Sequence, residues 1–332
     1  MLSSLKRIFV GKPIATADQE HQRIGKLVAL PVFSSDAISS TAYATQEILL
    51  VVAFGGSGLA LGLSKLVPIA IVVACLLAIV VASYRQTIFA YPDGGGSYVV
   101  SRENLGKRAS MVAGASLLVD YILTVAVSIC AGVRAITSIN PNLSEYRVEL
   151  CLLLILLITI ANLRGLKESG SVFAVPTYLY IVILTALVGY GLFRAYGWFG
   201  LQIDPIIEAG ADKATILSND VVRDLPHEEQ EEVIKSIMGV GAALGIMRLL
   251  KGFASGAVAL TGVEAISNGV PAFKKPESKN ASTTMIWMGL ILGSLFFGVS
   301  VLAHHLRPIP TESGPSVFSQ MGEAVFGRGP LY

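Results

Sequence analysis

The chain has 332 residues, of which 53% are hydrophobic and only 14% charged, with a formal net charge of +2. A water-soluble globule carries roughly a quarter of its residues as Asp, Glu, Lys and Arg, because its surface must face solvent. The deficit excludes a soluble enzyme, a nucleic-acid-binding protein and a disordered regulator, and it leaves the lipid bilayer as the consistent solvent.

A membrane-crossing helix needs about 20 apolar residues, so long intervals between charges mark the elements. Residues 1–26 read as a basic N-terminal segment. Residues 27–193 hold five spans: 27–54, which carries Asp36 and Glu47; 66–84; 109–133, interrupted by Asp120; the short 150–163; and 169–193. Snorkelling of Arg147, Glu149 and Arg164 extends the short one. The first span is too long for a secretory leader, carries an acid and lacks a small-residue cleavage site. An acidic segment follows at 194–238, with a short helix expected near HEEQEEVIKSI. Residues 239–306 hold two more spans, 252–273 with Glu264 and 280–306, and 307–332 reads as a loop on the same side as the acidic segment.

Basic residues near span ends set orientation. Fourteen of them, among them Lys6, Arg7, Lys12, Arg23, Arg85, Arg102, Lys107, Lys167, Lys274 and Lys275, fall on the N-terminal side, against Lys65, Arg134 and Arg147 in the short loops opposite. The expected arrangement is a multi-pass protein of the plasma membrane with a cytoplasmic N-terminus. The acidic segment then lies outside as a solvated cap, with a cation-concentrating vestibule as the weaker alternative. Cys75, Cys130 and Cys151 sit in apolar runs without metal-ligand spacing and read as small core residues.

The acids inside the spans are the informative residues. A carboxylate at mid-bilayer costs about 2.5–3.5 kcal/mol, so Asp36, Asp120 and Glu264 together cost roughly 8–10 kcal/mol. Internal pairing with a base is the bland explanation. Arg134 lies some 21 Å along the helix from Asp120, however, and Arg248 and Lys251 face the other end of their span. Protonation or a bound cation remains. Each acid has oxygen-bearing company: Asp120, Thr124 and Ser128 at i, i+4 and i+8 on one helical face; Thr261 and Glu264 at i and i+3; and Asp36 among Ser34, Ser35, Ser39 and Ser40, with Tyr43 two turns on. Oxygens of this kind replace the hydration shell of an alkali cation. For any one hydroxyl taken alone, a bond back to its own helix carbonyl is the commoner fate.

The first and sixth spans echo one another, Asp36-Ala-Ile-Ser-Ser40 against Glu264-Ala-Ile-Ser-Asn268, and both are rich in small and polar residues at mid-depth. They occupy matching positions of two five-span inverted repeats, where interrupted helices mark a transporter's midplane site. Two such repeats need ten spans, so the chain reads as truncated.

The runs AYPDGGGSYVVSRENLG and TGVEAISNGVPAFKKPESKNA resemble the amino acid–polyamine–organocation superfamily. SSDAISSTAYATQEILL and SLLVDYILTVAVS resemble its KimA-type potassium transporters, which are related to the KUP permeases. The resemblance implies an all-α, LeuT-like inverted-repeat fold of twelve spans, of which seven are present, followed by a cytosolic domain. It implies potassium import coupled to protons, with no cofactor and potassium as the substrate. It places Asp36, Tyr43, Asp120, Tyr121, Thr124, Ser128, Thr261 and Glu264 around potassium ions, with Glu264 suggested as the proton-coupling group. A homodimer, and binding of cyclic di-AMP by the cytosolic domain, are implied for residues beyond this chain.

An amino-acid or polyamine permease of the same superfamily is the alternative. Amino-acid permeases receive a substrate carboxylate on bare backbone amides in the first span. Asp36 would repel that group, whereas a polyamine would accept it. An ATP-driven pump is disfavoured, since PDGGGSY lacks the Lys-Ser or Lys-Thr that completes a phosphate cradle and reads as a tight turn. His304 and His305 lack acid or Cys partners, and no catalytic constellation indicates an enzyme.

Overall fold

The computed structural model describes residues 23–54, 58–94, 96–163, 166–239 and 245–329. Most of the basic N-terminal segment and Arg164 lie outside the described residues. The described chain is almost wholly helical, and seven helices are long and apolar enough to cross a membrane: Lys26–Phe54, Leu59–Ala90, Lys107–Ile139, Asn142–Leu163, Val172–Ala195, Ile246–Asn268 and Glu277–Leu306. Several run past their uncharged windows, because charged residues at the ends continue the helix into the interface while their heads reach water. The sixth is displaced furthest. It starts at Ile246 because the helix carries Arg248 and Lys251, and it ends at Asn268 rather than near Phe273.

The first span is the axis of the bundle. Two-thirds of its apolar window is buried (67%), against none of the fourth, which lies on the periphery beside the third. It packs on the fifth and seventh spans, tied by a Thr41–Tyr180 hydroxyl pair at 3.0 Å and a Thr45–Ser300 pair at 3.2 Å. Such pairs between helices satisfy hydroxyls that lipid cannot. The second and seventh spans lie along one another. Gly298 lets the fifth span approach the seventh, since a Cβ there would meet Val188 at 2.4 Å.

The cysteines depart from expectation. Cys75 is exposed and Cys151 half-exposed, and Cys130 is exposed toward a cavity between the first and third spans. A thiol is apolar enough for a lipid-facing position, so an apolar run alone cannot assign it to the core.

The acidic segment forms three short helices, Lys213–Ser218, Asp220–Arg223 and His227–Met238, the last at the expected HEEQEEVIKSI run. Asp212 caps the first of them by accepting from the Thr215 amide at 3.1 Å, and the Thr215 side chain, followed by that amide, holds its carboxyl below the usual range. The charged faces point outward. Ile216, Val222 and Val233 are fully buried against the ends of the spans, so the segment is a cap with an apolar underside. Glu229 accepts from the amides of Glu312 and Ser313, at 2.5 and 3.2 Å, and draws the loop after the seventh span onto the cap.

On the opposite side, the chain entering the first span is pinned to the segment between the sixth and seventh. The Ile24 amide donates to Ala272 at 2.9 Å, the Lys274 amide donates to Ile24 at 3.0 Å, and Arg23 pairs with Glu277.

Candidate ion path

The two echoing segments behave differently. The sixth span breaks. Its helix Ile246–Gly256 tightens into a single turn at Ala257–Leu260, Thr261 is extended (φ −65°, ψ 146°), and helix resumes only for Ala265–Asn268. Gly262 makes the break possible: its φ is +77°, and a Cβ there would lie 2.7 Å from the Asp36 carboxylate. Only glycine meets both conditions without strain. The sixth span's backbone therefore presses directly on the first span's acid. The first span, by contrast, is not unwound. Helices Lys26–Ser39 and Thr41–Leu49 are separated by Ser40 alone, which keeps right-handed helical angles (φ −63°, ψ −19°). The serines there occupy themselves locally, Ser39 donating to Asp36 O at 2.8 Å, Ser40 to Ala37 O at 2.6 Å and Thr41 to Ile38 O at 2.7 Å. Such back-bonds loosen a helix without opening it.

Around this contact several of the expected residues come together. The third span presents Asp120, Tyr121, Thr124 and Ser128 inward while Ile122, Leu123, Val125 and Val127 face out, as the i, i+4, i+8 spacing requires. Asp36 lies within electrostatic reach of both Glu264 and Asp120, and Ser128 stands beside Asp36 and Tyr43. Glu264 faces the Tyr121 hydroxyl, with Tyr84 of the second span close by. Thr124 is buried on the same face. Thr261 is the exception, because its hydroxyl donates to Val258 O at 2.8 Å.

Among the described residues no lysine or arginine is paired with Asp36, Asp120 or Glu264. Arg134 is committed elsewhere, donating to the carbonyls of Thr311 and Gly314 in the loop over the cap side. Nor do three acidic, His or Cys side chains close on a single point as a metal centre would. The three carboxylates, on the first, third and sixth spans, are within electrostatic reach of one another without meeting at one point.

The oxygens around them are short of partners. Buried atoms without a hydrogen bond include the hydroxyls of Ser34, Tyr43 and Ser128 and one oxygen of Glu264. A buried polar atom left unmade costs about 1–3 kcal/mol, and here such atoms gather beside unpaired acids. On the cap side, a cavity of about 320 Å³ runs between the first and third spans past Tyr43, Glu47, Ala126, Cys130, Arg134 and Ser316. On the other side, Asn268 donates to the Tyr121 hydroxyl at 2.9 Å and lies against Gly94 and Gly96. Sequence reasoning missed Asn268 and Tyr84. Asn268 stood in the echo opposite Ser40, but its role depends on a contact 147 positions away in the chain.

A broken helix over an acid, flanked by inverted-repeat spans, is the signature of a secondary transporter. Residues 29–329 match the family described as amino acid permease, and the chain belongs to that family, whose members are transporters rather than enzymes. It is similar to the potassium transporter KimA of Bacillus subtilis, with 43% identity over 332 residues, all of this chain and 49% of that protein. It also resembles a probable potassium transport system protein Kup of Xanthobacter autotrophicus (28% over 183 residues, 50% of this chain and 28% of that protein). A low-affinity putrescine importer, PlaP of Escherichia coli, matches more distantly (25% over 118 residues, 35% of this chain and 26% of that protein). The chain thus spans about half the length of the KimA protein it matches from end to end.

Proposed function

We propose that this chain forms the ion path of a potassium importer of the plasma membrane, driven by protons that enter with the ion. The observation that carries the reading is the set of buried oxygens on Tyr43, Ser128 and Glu264 that make no well-formed hydrogen bond beside Asp36, with no lysine or arginine paired to the three acids among the described residues. Oxygens with spare lone pairs, one formal charge at a time, suit a large and weakly hydrated monovalent cation. The relatives named for potassium transport support the same reading. In it the N-terminus is cytoplasmic, the cavity past Tyr43 is the outer approach, and Asp36, Tyr43, Asp120, Thr124, Ser128 and the opened backbone near Thr261 hold ions in succession. Glu264 exchanges a proton as the first and sixth spans tilt against the third.

A diamine would also suit paired acids, and flux separates the two. In proteoliposomes containing the whole protein, radioactive rubidium should enter in a saturable manner, be competed by potassium, and ignore excess putrescine or amino acids. Putrescine or amino-acid uptake without rubidium uptake would overturn the reading.

A further inference from the structure

A groove of about 310 Å³ lies between the first, fifth and seventh spans at their N-terminal-side ends, and none of the ion-path residues lines it. It opens to the membrane, since Leu27 and Trp287 on its rim are 78% and 57% exposed. Its hydroxyls are already committed. Tyr178 of the fifth span donates to the Leu27 carbonyl at 2.8 Å, Thr283 to Lys279 O at 2.8 Å and Thr284 to Asn280 O at 2.9 Å. Apart from Lys26 and the Trp287 indole, the walls offer a guest little to hydrogen-bond. Water has no stable place in such a groove, so hydrocarbon fills it.

Each long wall begins with a lysine. Lys26 opens the first span and lines the mouth, with Leu30 one turn further in. Lys279 lies in the first turn of the seventh span, and Thr283 and Trp287 follow at i+4 and i+8, which puts the three on one stripe. Ile291 stands one more turn in. From Lys279 to Ile291 the helix rises about 18 Å, close to the depth of one leaflet in a hydrocarbon core about 30 Å thick. The Arg23–Glu277 pair holds the two span ends side by side, just ahead of both lysines, and it occupies the acid nearest Lys279 in the chain. Both lysines are exposed, and neither is in an ion pair among the described residues.

We propose that this groove binds one anionic diacyl phospholipid of the leaflet on the N-terminal side, its phosphate held by Lys26 and Lys279 and an acyl chain laid along Leu30, Thr283, Trp287 and Ile291. Charge complementarity selects this occupant. A zwitterionic lipid brings an ammonium that offsets its phosphate, and an apolar helix laid in the groove would bring no anion at all. Long lysine stems keep their charged heads at the interface while covering apolar surface below it. Each lysine near the membrane surface is worth about fivefold in preference for an anionic lipid. The site is independent of the ion path and stands whatever the cargo.

The test is lipid retention by the whole protein. It is reconstituted into nanodiscs of equal parts phosphatidylglycerol and phosphatidylcholine with matched acyl chains, released into mild detergent, and weighed intact by native mass spectrometry. The parent should keep about one phosphatidylglycerol per chain, enriched about twentyfold over phosphatidylcholine. Lys26→Gln and Lys279→Gln should each cut the enrichment about fivefold, and together they should bring it near parity. Thr283→Trp fills the groove and leaves both lysines, so it should abolish retention. Equal retention of the two lipids by the parent, or an enrichment unmoved in the double lysine variant or in Thr283→Trp, would overturn the site. Should Thr283→Trp misfold on size-exclusion chromatography, the two lysine variants, at exposed positions, decide the matter. Photo-crosslinking from Trp287→benzoylphenylalanine in native membranes should yield phospholipid adducts. Adducts with another segment of the protein or with a second copy would put a different occupant in the groove and overturn the proposal. So would displacement of the retained lipid by soluble glycerol phosphate, which would mean a headgroup site that does not use the groove.

Discussion

Asp36→Asn should weaken rubidium and potassium binding roughly ten- to hundredfold, read as a rise in the KM for uptake. The substitution keeps the size of the side chain and the contact with Gly262, 2.7 Å from an added Cβ, so packing is preserved. What changes is charge. The gross attraction between unit charges about 3 Å apart is some 5–6 kcal/mol at an effective dielectric constant near 20. Desolvation offsets much of it, and the net value of a charged contact is about 1.5–3 kcal/mol. That converts to the stated loss in affinity. The amide also turns a donor toward a path that asks for acceptors. A KM within threefold of the parent would mean that Asp36 is not a ligand.

Glu264→Gln should separate ion movement from the proton gradient. The side chain's unpartnered oxygen is preserved in kind, so an ion can still pass near it, but the group no longer takes up or releases a proton. Uptake driven by an inward proton gradient should fall by at least tenfold. Uptake driven by a rubidium gradient alone should persist, with a pH dependence changed from the parent's between about 5 and 8, where histidine is the side chain that ordinarily titrates. His304 and His305 lie at the far end of the seventh span, His304 against the Leu63 carbonyl at 2.9 Å, away from the path. If the variant keeps the parent's pH profile, coupling resides elsewhere.

The membrane fold was legible because charges are expensive in lipid. Intervals between them located all seven spans, and errors fell where Arg248 or Lys107 continues a helix beyond its apolar window. The inward face of the third span followed from a single spacing, since i, i+4 and i+8 can only share one side of a helix. Local chemistry was less legible. Ser40 and Thr261 look alike in the string, as hydroxyls beside acids, yet both bond back to their own helix, at 2.6 and 2.8 Å. Ser128 and Tyr43 do not. That difference is set by which neighbour stands opposite, a tertiary fact. Likewise both halves of the Asp36–Ser40 and Glu264–Asn268 echo suggested an interruption. Only the second opens, because only it carries a glycine free to adopt a positive φ against the acid.

Anomalous diffraction from crystals of the whole protein soaked in rubidium bears most directly on whether unpaired carboxylates in the spans hold ions in transit. Peaks should stand between Asp36, Tyr43 and Ser128, and near Glu264, at distances of an alkali cation from oxygen, and they should fade on exchange into sodium-free choline. Maps without rubidium on this path, with Asp36, Asp120 and Glu264 each neutralised by an arginine or lysine from elsewhere in the protein, would contradict it.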